Sequence, residues 1–133
     1  MSMNQQYRYK ETSMFLLNYH LIFCPKRRRS VLKGPVRKRL EEIICEVAKD
    51  IEAQVLALEI MPDHVHLFVS APPQMAPNQV VGRFKGASSR ILRQEFPHLL
   101  RLPSLWTRSY FCSSAGNVSS STIRRYIETQ SKR

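Results

Sequence analysis

VLALEIM, PD and HVHLFVSA run consecutively through residues 55–71, two β-favouring stretches divided by Pro62-Asp63. A two-residue joint between alternating runs makes a β-hairpin, with Val55 to Met61 as its first strand and His64 to Ala71 as its second. Side chains alternate along a strand, so Val65, Leu67 and Val69 share one face while His64, His66, Phe68 and Ser70 share the other. The apolar set needs a covering layer. Both imidazoles then lie on the opposite, open face, about 7 Å apart along the strand and close enough for one metal ion to meet both. HxH alone is more often a half-exposed polar face. A complete zinc site would need further strong ligands, and His20 and His98 are not obviously aimed there.

Upstream of the hairpin, Gly34-Pro35 opens a helix whose apolar residues Val36, Leu40, Ile43, Ile44, Val47 and Ile51 follow the 3.6-residue period. Before it, Met14 to Cys24 (MFLLNYHLIFC) reads as a strand stopped by Pro25 at a basic turn. Downstream, a second helix runs from about Pro77 to Glu95 with Val80, Phe84, Ala87, Ile91 and Leu92 as its apolar stripe, and Pro97 ends it. Leu105 to Cys112 (LWTRSYFC) is the expected fourth strand. Ser113 to Val118 is a small-residue connection, and a last helix starts at Ser119 or Ser120 and reaches about Gln130. The order βαββαβ with a final helix is α+β, ferredoxin-like or RRM-like, with two helices on one face of an antiparallel sheet. A length of 133 residues suits one domain, 1–133, without linker or repeat.

The net charge of +11, from 21 Lys and Arg against 10 Asp and Glu, implies a polyanionic partner, nucleic acid ahead of membrane. No apolar run approaches the roughly 18 to 20 residues that span a bilayer, and Met1 to Glu11 lacks a signal-peptide hydrophobic region, so a cytoplasmic protein with no membrane partner is expected. Cys24, Cys45 and Cys112 are scattered without a CxxC pair and read as small apolar fillers.

On the final helix, Tyr126 and Gln130 are spaced i, i+4 and lie one above the other, while Ile123 and Ile127 form an adjacent docking stripe. One surface thus carries a phenol and an amide oxygen, the latter a plausible third ligand beside two imidazoles. Taken alone, Tyr126 is more often a packing residue and Gln130 a solvated one.

Five segments together resemble the HUH single-tyrosine transposases of the insertion-sequence 200-like family: Asn18 to Lys26 (NYHLIFCPK), Met61 to Val69 (MPDHVHLFV), Lys85-Gly86 with Ser89-Arg90, Trp106 to Phe111 (WTRSYF) and Arg125 to Gln130 (RYIETQ). They span nearly the whole chain in order. The resemblance implies a homodimeric enzyme that recognises hairpins in single-stranded transposon ends, cleaves beside them and rejoins the strands. His64 and His66 match the family's HUH motif around an apolar Val65, Tyr126 matches the nucleophile and Gln130 the third metal ligand. It also favours active sites shared between chains, although the sequence itself does not choose.

Such chemistry needs help, because a free phenol with a pKa near 10 is a poor nucleophile at neutral pH. A divalent metal, Mg2+ or Mn2+, would neutralise and orient the scissile phosphate; nitrogen ligands favour manganese, abundance magnesium. Asp63 could orient His64 as an outer partner, or be a plain turn aspartate. Lys26, Arg27, Arg28 and Arg29, with Arg83, Lys85 and Arg90, could line a phosphate track. Arg28 is expected to bear on DNA contacts and not on chemistry. Which of Tyr19, Phe68, Trp106 or Tyr110 is exposed for base stacking is open. Two other readings stand beside this one: a noncatalytic RNA-binding module with the same sheet order, and a domesticated relative acting on chromosomal hairpin repeats.

Overall fold

The computed structural model describes residues 16–114 and 120–130. In order they form β1 (Leu17–Phe23), a tight turn Lys26–Arg28, α1 (Gly34–Asp50), β2 (Gln54–Met61), β3 (His64–Ala71), α2 (Pro77–Glu95), a short 3-10 segment Pro97–Arg101, β4 (Phe111–Ser114) and α3 (Ser120–Gln130). The sheet order is β2-β3-β1-β4 with every pairing antiparallel, the ferredoxin-like arrangement that the element order implied. Met14 and Phe15 of the expected first strand, residues 115–119 of the connection and the side chain of Ile123 lie outside the described residues.

Alternation decides where the core sits. Leu21 and Phe23 of β1 and Val65, Leu67 and Val69 of β3 are fully buried, facing Val36, Leu40, Ile43, Ile44 and Val47 of α1 and Val80, Val81, Phe84 and Leu92 of α2. Both helices start at a proline in their first turn, where the missing N–H has no helical partner to lose. Simple alternation would put Val55 on the opposite face from Leu58 and Ile60. The register shift between Val55 and Ala57 makes Leu56 the extra residue, and all three apolar side chains then face the core. On the other face, that shift sets small Ala57 opposite Phe68 and Glu59 opposite His66.

Leu105 to Cys112 does not form the continuous strand expected of it. Only the bridge between Trp106 and Pro25 remains of its first half, and ladder pairing begins at Phe111. The cause is Lys85 on α2, whose Nζ donates to the carbonyls of Thr107 at 2.6 Å, Arg108 at 3.4 Å and Ser109 at 3.2 Å. Those carbonyls are thereby drawn away from a sheet ladder. Trp106 is buried instead, donating from Nε1 to Ser88 Oγ at 3.0 Å and meeting Phe23 edge-on at 4.8 Å between ring centroids.

Candidate DNA-cleavage site

β3 holds His64 and His66 on the face away from α1 and α2, both half-buried, as its alternation requires. His64 Nδ1 lies 2.9 Å from Asp63 Oδ1; donating there fixes the ring by Nδ1 and leaves the lone pair of Nε2 for a ligand. The second oxygen of Asp63 lies 3.3 Å from Arg28 Nε. Arg28, expected to concern DNA alone, is thus tied to the carboxylate that orients a candidate ligand.

His66 has a partner that sequence reasoning missed. His20 of β1 places Nδ1 3.3 Å from His66 Nε2 and stacks on Phe68 with ring centroids 4.3 Å apart. Strand register could have found it, since His20 pairs with Phe68 and Ile22 with His66, which puts His20 on the imidazole face. Burial, with the neighbouring His20 imidazole second, lowers the His66 pKa below the usual histidine range, while Glu59 acts weakly the other way. His66 is therefore the neutral, ligand-competent form at neutral pH. Beside the rings opens a cavity of about 330 Å³ lined by His20, Ala57, Leu58, Glu59, His66 and Phe68.

The lowered His66 pKa has a pH signature. Between the ordinary histidine value near 6.5 and the lower folded value, the unfolded chain binds a proton that the folded chain does not. Stability from this residue is complete above about 6.5 and is lost as pH falls through that window. Urea midpoints measured between pH 5 and 7.5 should decline on the acid side, and the His66→Ala protein should show a shallower decline.

One row of paired residues crosses the open face from β2 to β4: Glu59, His66, Ile22 and Phe111. Tyr126 lies over the far end of that row, its ring centroid 5.9 Å from that of Phe111. Phe111 is two strands from His66, about 10 Å at the usual strand spacing. Gln130, one turn beyond Tyr126, is buried, and its Oε1 accepts from Ser109 Oγ at 2.8 Å. The same hydroxyl is 3.4 Å from Tyr126 Oη. Ser109 thus joins the phenol and the amide. Nothing in the local pattern around residue 109 signals this role, because it depends on the Lys85 contacts that pull residues 107–109 out of the ladder.

The donor chemistry of the two imidazoles, one kept neutral and the other held through Nδ1, fits a divalent cation, while the Gln130 oxygen accepts from Ser109 at the Phe111 end of the sheet. Among the described residues no three His, Cys, Asp or Glu side chains form a metal-holding group.

The basic residues divide into two kinds. Arg27, Arg29, Arg83 and Arg90 are exposed and Lys26 is half-buried. Lys85, expected on the phosphate track, donates its ammonium to three carbonyls, and burial pushes its pKa down to about 8. Lys85→Met should cost about 1 to 3 kcal/mol of stability in urea unfolding, because those carbonyls lose their donor, while changing nucleic-acid affinity little. A large affinity loss without destabilisation would return Lys85 to the contact surface. Of the four aromatics considered for stacking, Tyr19 and Trp106 are buried, while Phe68 and Tyr110 are half-buried and keep accessible ring surface. Cys24 is fully buried, and that burial raises its thiol to about 12, which excludes a reactive thiolate. Cys45 is exposed and not a filler.

The family described as "Transposase IS200 like" matches residues 13–130. The chain belongs to this family. It is 39% identical over 120 residues to the ISDra2 transposase TnpA of Deinococcus radiodurans, covering 88% of this chain and 86% of that one. It is 30% identical over 115 residues to the transposase of insertion sequence element IS200 from Salmonella typhimurium, covering 84% and 75%. A crystal structure of a transposase from Deinococcus radiodurans superposes with a TM-score of 0.83 at 35% identity, covering 92% of this chain and 97% of that one. A REP-associated tyrosine transposase, solved bound to a REP hairpin, shares the fold with a TM-score of 0.53 at 19% identity, covering 96% and 69%. This IS200-like protein is therefore of a class of enzymes that cut and transfer DNA. No helix among its described residues is long and apolar enough to cross a membrane.

Proposed function

We propose that this IS200-like chain is one HUH transposase domain that binds hairpin-containing single-stranded DNA ends, cleaves them and rejoins the strands through a 5′-phosphotyrosine on Tyr126. The observation that carries the reading is the joining of Tyr126 and Gln130 by one hydroxyl, over the same cross-sheet row that contains His66.

His64, His66 and Gln130 would hold a divalent cation, Mg2+ or Mn2+, which when bound neutralises charge on a non-bridging oxygen of the scissile phosphate. Tyr126 Oη, giving up its proton to solvent, forms a bond to phosphorus as the bond from phosphorus to the 3′-oxygen breaks, and that oxygen takes up a proton from solvent. The phosphotyrosine keeps the bond's reactivity, so a second 3′-hydroxyl can displace the phenol and reseal the strand without ATP. Ser109 donates its proton to Gln130, which leaves its oxygen free to accept from the phenol and hold Tyr126 in line. At 3.4 Å this contact orients the phenol and does not deprotonate it. The cavity beside His66 and the exposed Arg27 and Arg29 supply room for an unstacked base and charge for the backbone.

The test is to incubate the protein with end-labelled hairpin DNA, with and without Mn2+, and to look for a denaturant-resistant adduct. A metal-dependent adduct and rejoined product are expected. Tight RNA binding with neither would favour a noncatalytic RNA-binding module instead. Retaining this chemistry on chromosomal hairpin repeats but not on mobile-element ends would mark a domesticated relative.

Two DNA ends must be cut and held together, and each chain supplies one such tyrosine, so a homodimer is the working unit. Mixing a His64→Ala, His66→Ala double mutant with Tyr126→Phe protein under conditions of subunit exchange should restore cleavage at one site per mixed dimer. No recovery in a verified mixed dimer would mean that each site is built within a single chain.

A further inference from the structure

Asp63 stands between a histidine and a cation. Its Oδ1 meets His64 Nδ1 at 2.9 Å, and its Oδ2 meets Arg28 Nε at 3.3 Å. An aspartate held only by the imidazole could rotate about its own bonds and carry the ring with it. Held on both oxygens, it keeps one orientation.

The turn that delivers Arg28 is itself firmly fixed. Arg27 and Arg28 have φ of 56° and 51°, a left-handed conformation that L residues rarely adopt. Such backbone persists where its surroundings over-determine it, and here they do. Lys26 N donates to Leu105 O at 2.8 Å and Thr107 N to Cys24 O at 2.9 Å, tying the entry of the turn to the strap before β4; Arg28 N closes the turn on Pro25 O at 2.7 Å, and beyond its exit Leu32 N donates to Pro62 O at 3.0 Å. The same turn packs against α3. A solvated phosphate-gripping loop would need none of this.

We propose that Arg28 is a positioning residue for His64, acting through Asp63 to hold the imidazole with Nε2 outward. The inference rests on the metal-binding reading of His64. A guanidinium serves because its Nε–H is directed within a rigid plane, whereas a lysine ammonium on a flexible stem would pair with Asp63 without fixing its rotation.

The experiment measures two affinities on the DNA-free and DNA-bound full chain. Calorimetric titration with Mn2+ alone reads the site; fluorescence binding of a hairpin oligonucleotide in EDTA reads the surface. Arg28→Ala should weaken Mn2+ binding about 10-fold, within the range for outer-shell partners of metal ligands, and Arg28→Lys should recover only part of it. Asp63→Asn should lose a similar amount, and the double variant should be no weaker than Asp63→Asn alone. That non-additivity separates positioning from a general loss of folding, and Asp63→Asn carries the test if Arg28→Ala does not fold. Unchanged Mn2+ affinity in Arg28→Ala with weakened hairpin binding in EDTA would overturn the proposal and make Arg28 a phosphate contact. Additive losses in the double variant would overturn it too. Wild-type protein without any His64-dependent Mn2+ binding would instead defeat the metal reading itself, and this inference with it.

Discussion

Tyr126→Phe is expected to lower strand cleavage by about 10⁴-fold or more while leaving hairpin affinity nearly unchanged, since loss of a covalent nucleophile removes the reaction path itself. The structure explains why so large an effect need not disturb the fold. Removing Oη deletes the 3.4 Å contact with Ser109, but Ser109 still donates to Gln130 at 2.8 Å, and the ring can still meet Phe111. Gel assays for the covalent adduct, run beside hairpin binding in EDTA, check both halves. A Tyr126→Phe protein that still forms the adduct would assign the nucleophile elsewhere.

His64→Ala should cost the next largest amount, weakening Mn2+ binding beyond the roughly 10- to 100-fold typical of outer-shell changes and reducing cleavage with it. It removes the ring that Asp63 holds. His66→Ala should be milder, because His20 Nδ1 already lies 3.3 Å from the nitrogen that would be lost. Adding His20→Ala to His66→Ala should then bring the loss up to that of His64→Ala. Metal titrations of the three proteins test the ranking, and equal losses in both single variants would show that His20 cannot substitute.

What the sequence made legible follows from periodicity. β3 and α2 occupy the residues their patterns indicate, and the HxH pair lies on the open face because Val65, Leu67 and Val69 demand the core. Tyr126 and Gln130 lie on one side of α3 because i and i+4 must. Features set by contacts between distant residues were hidden. Leu105 to Cys112 has strand-like composition, yet the start of β4 is decided by a lysine more than twenty positions earlier. In the sequence that lysine reads only as a cation for phosphate; its hold on three carbonyls is set by the fold. His20 was invisible to spacing because its neighbour is across a strand pair, 46 positions away. Arg28 lies in a basic run whose composition says only that it is charged; its link to Asp63 comes from the left-handed turn.

The proposed chemistry turns on a 5′-phosphate carried by Tyr126. The adduct formed with hairpin DNA and Mn2+ can be digested with nuclease and protease and its peptides sequenced by mass spectrometry. A nucleotide joined through its 5′-phosphate to the tyrosine of the Arg125 to Gln130 segment is expected. A nucleotide on any other residue, or one joined through a 3′-phosphate, would contradict it.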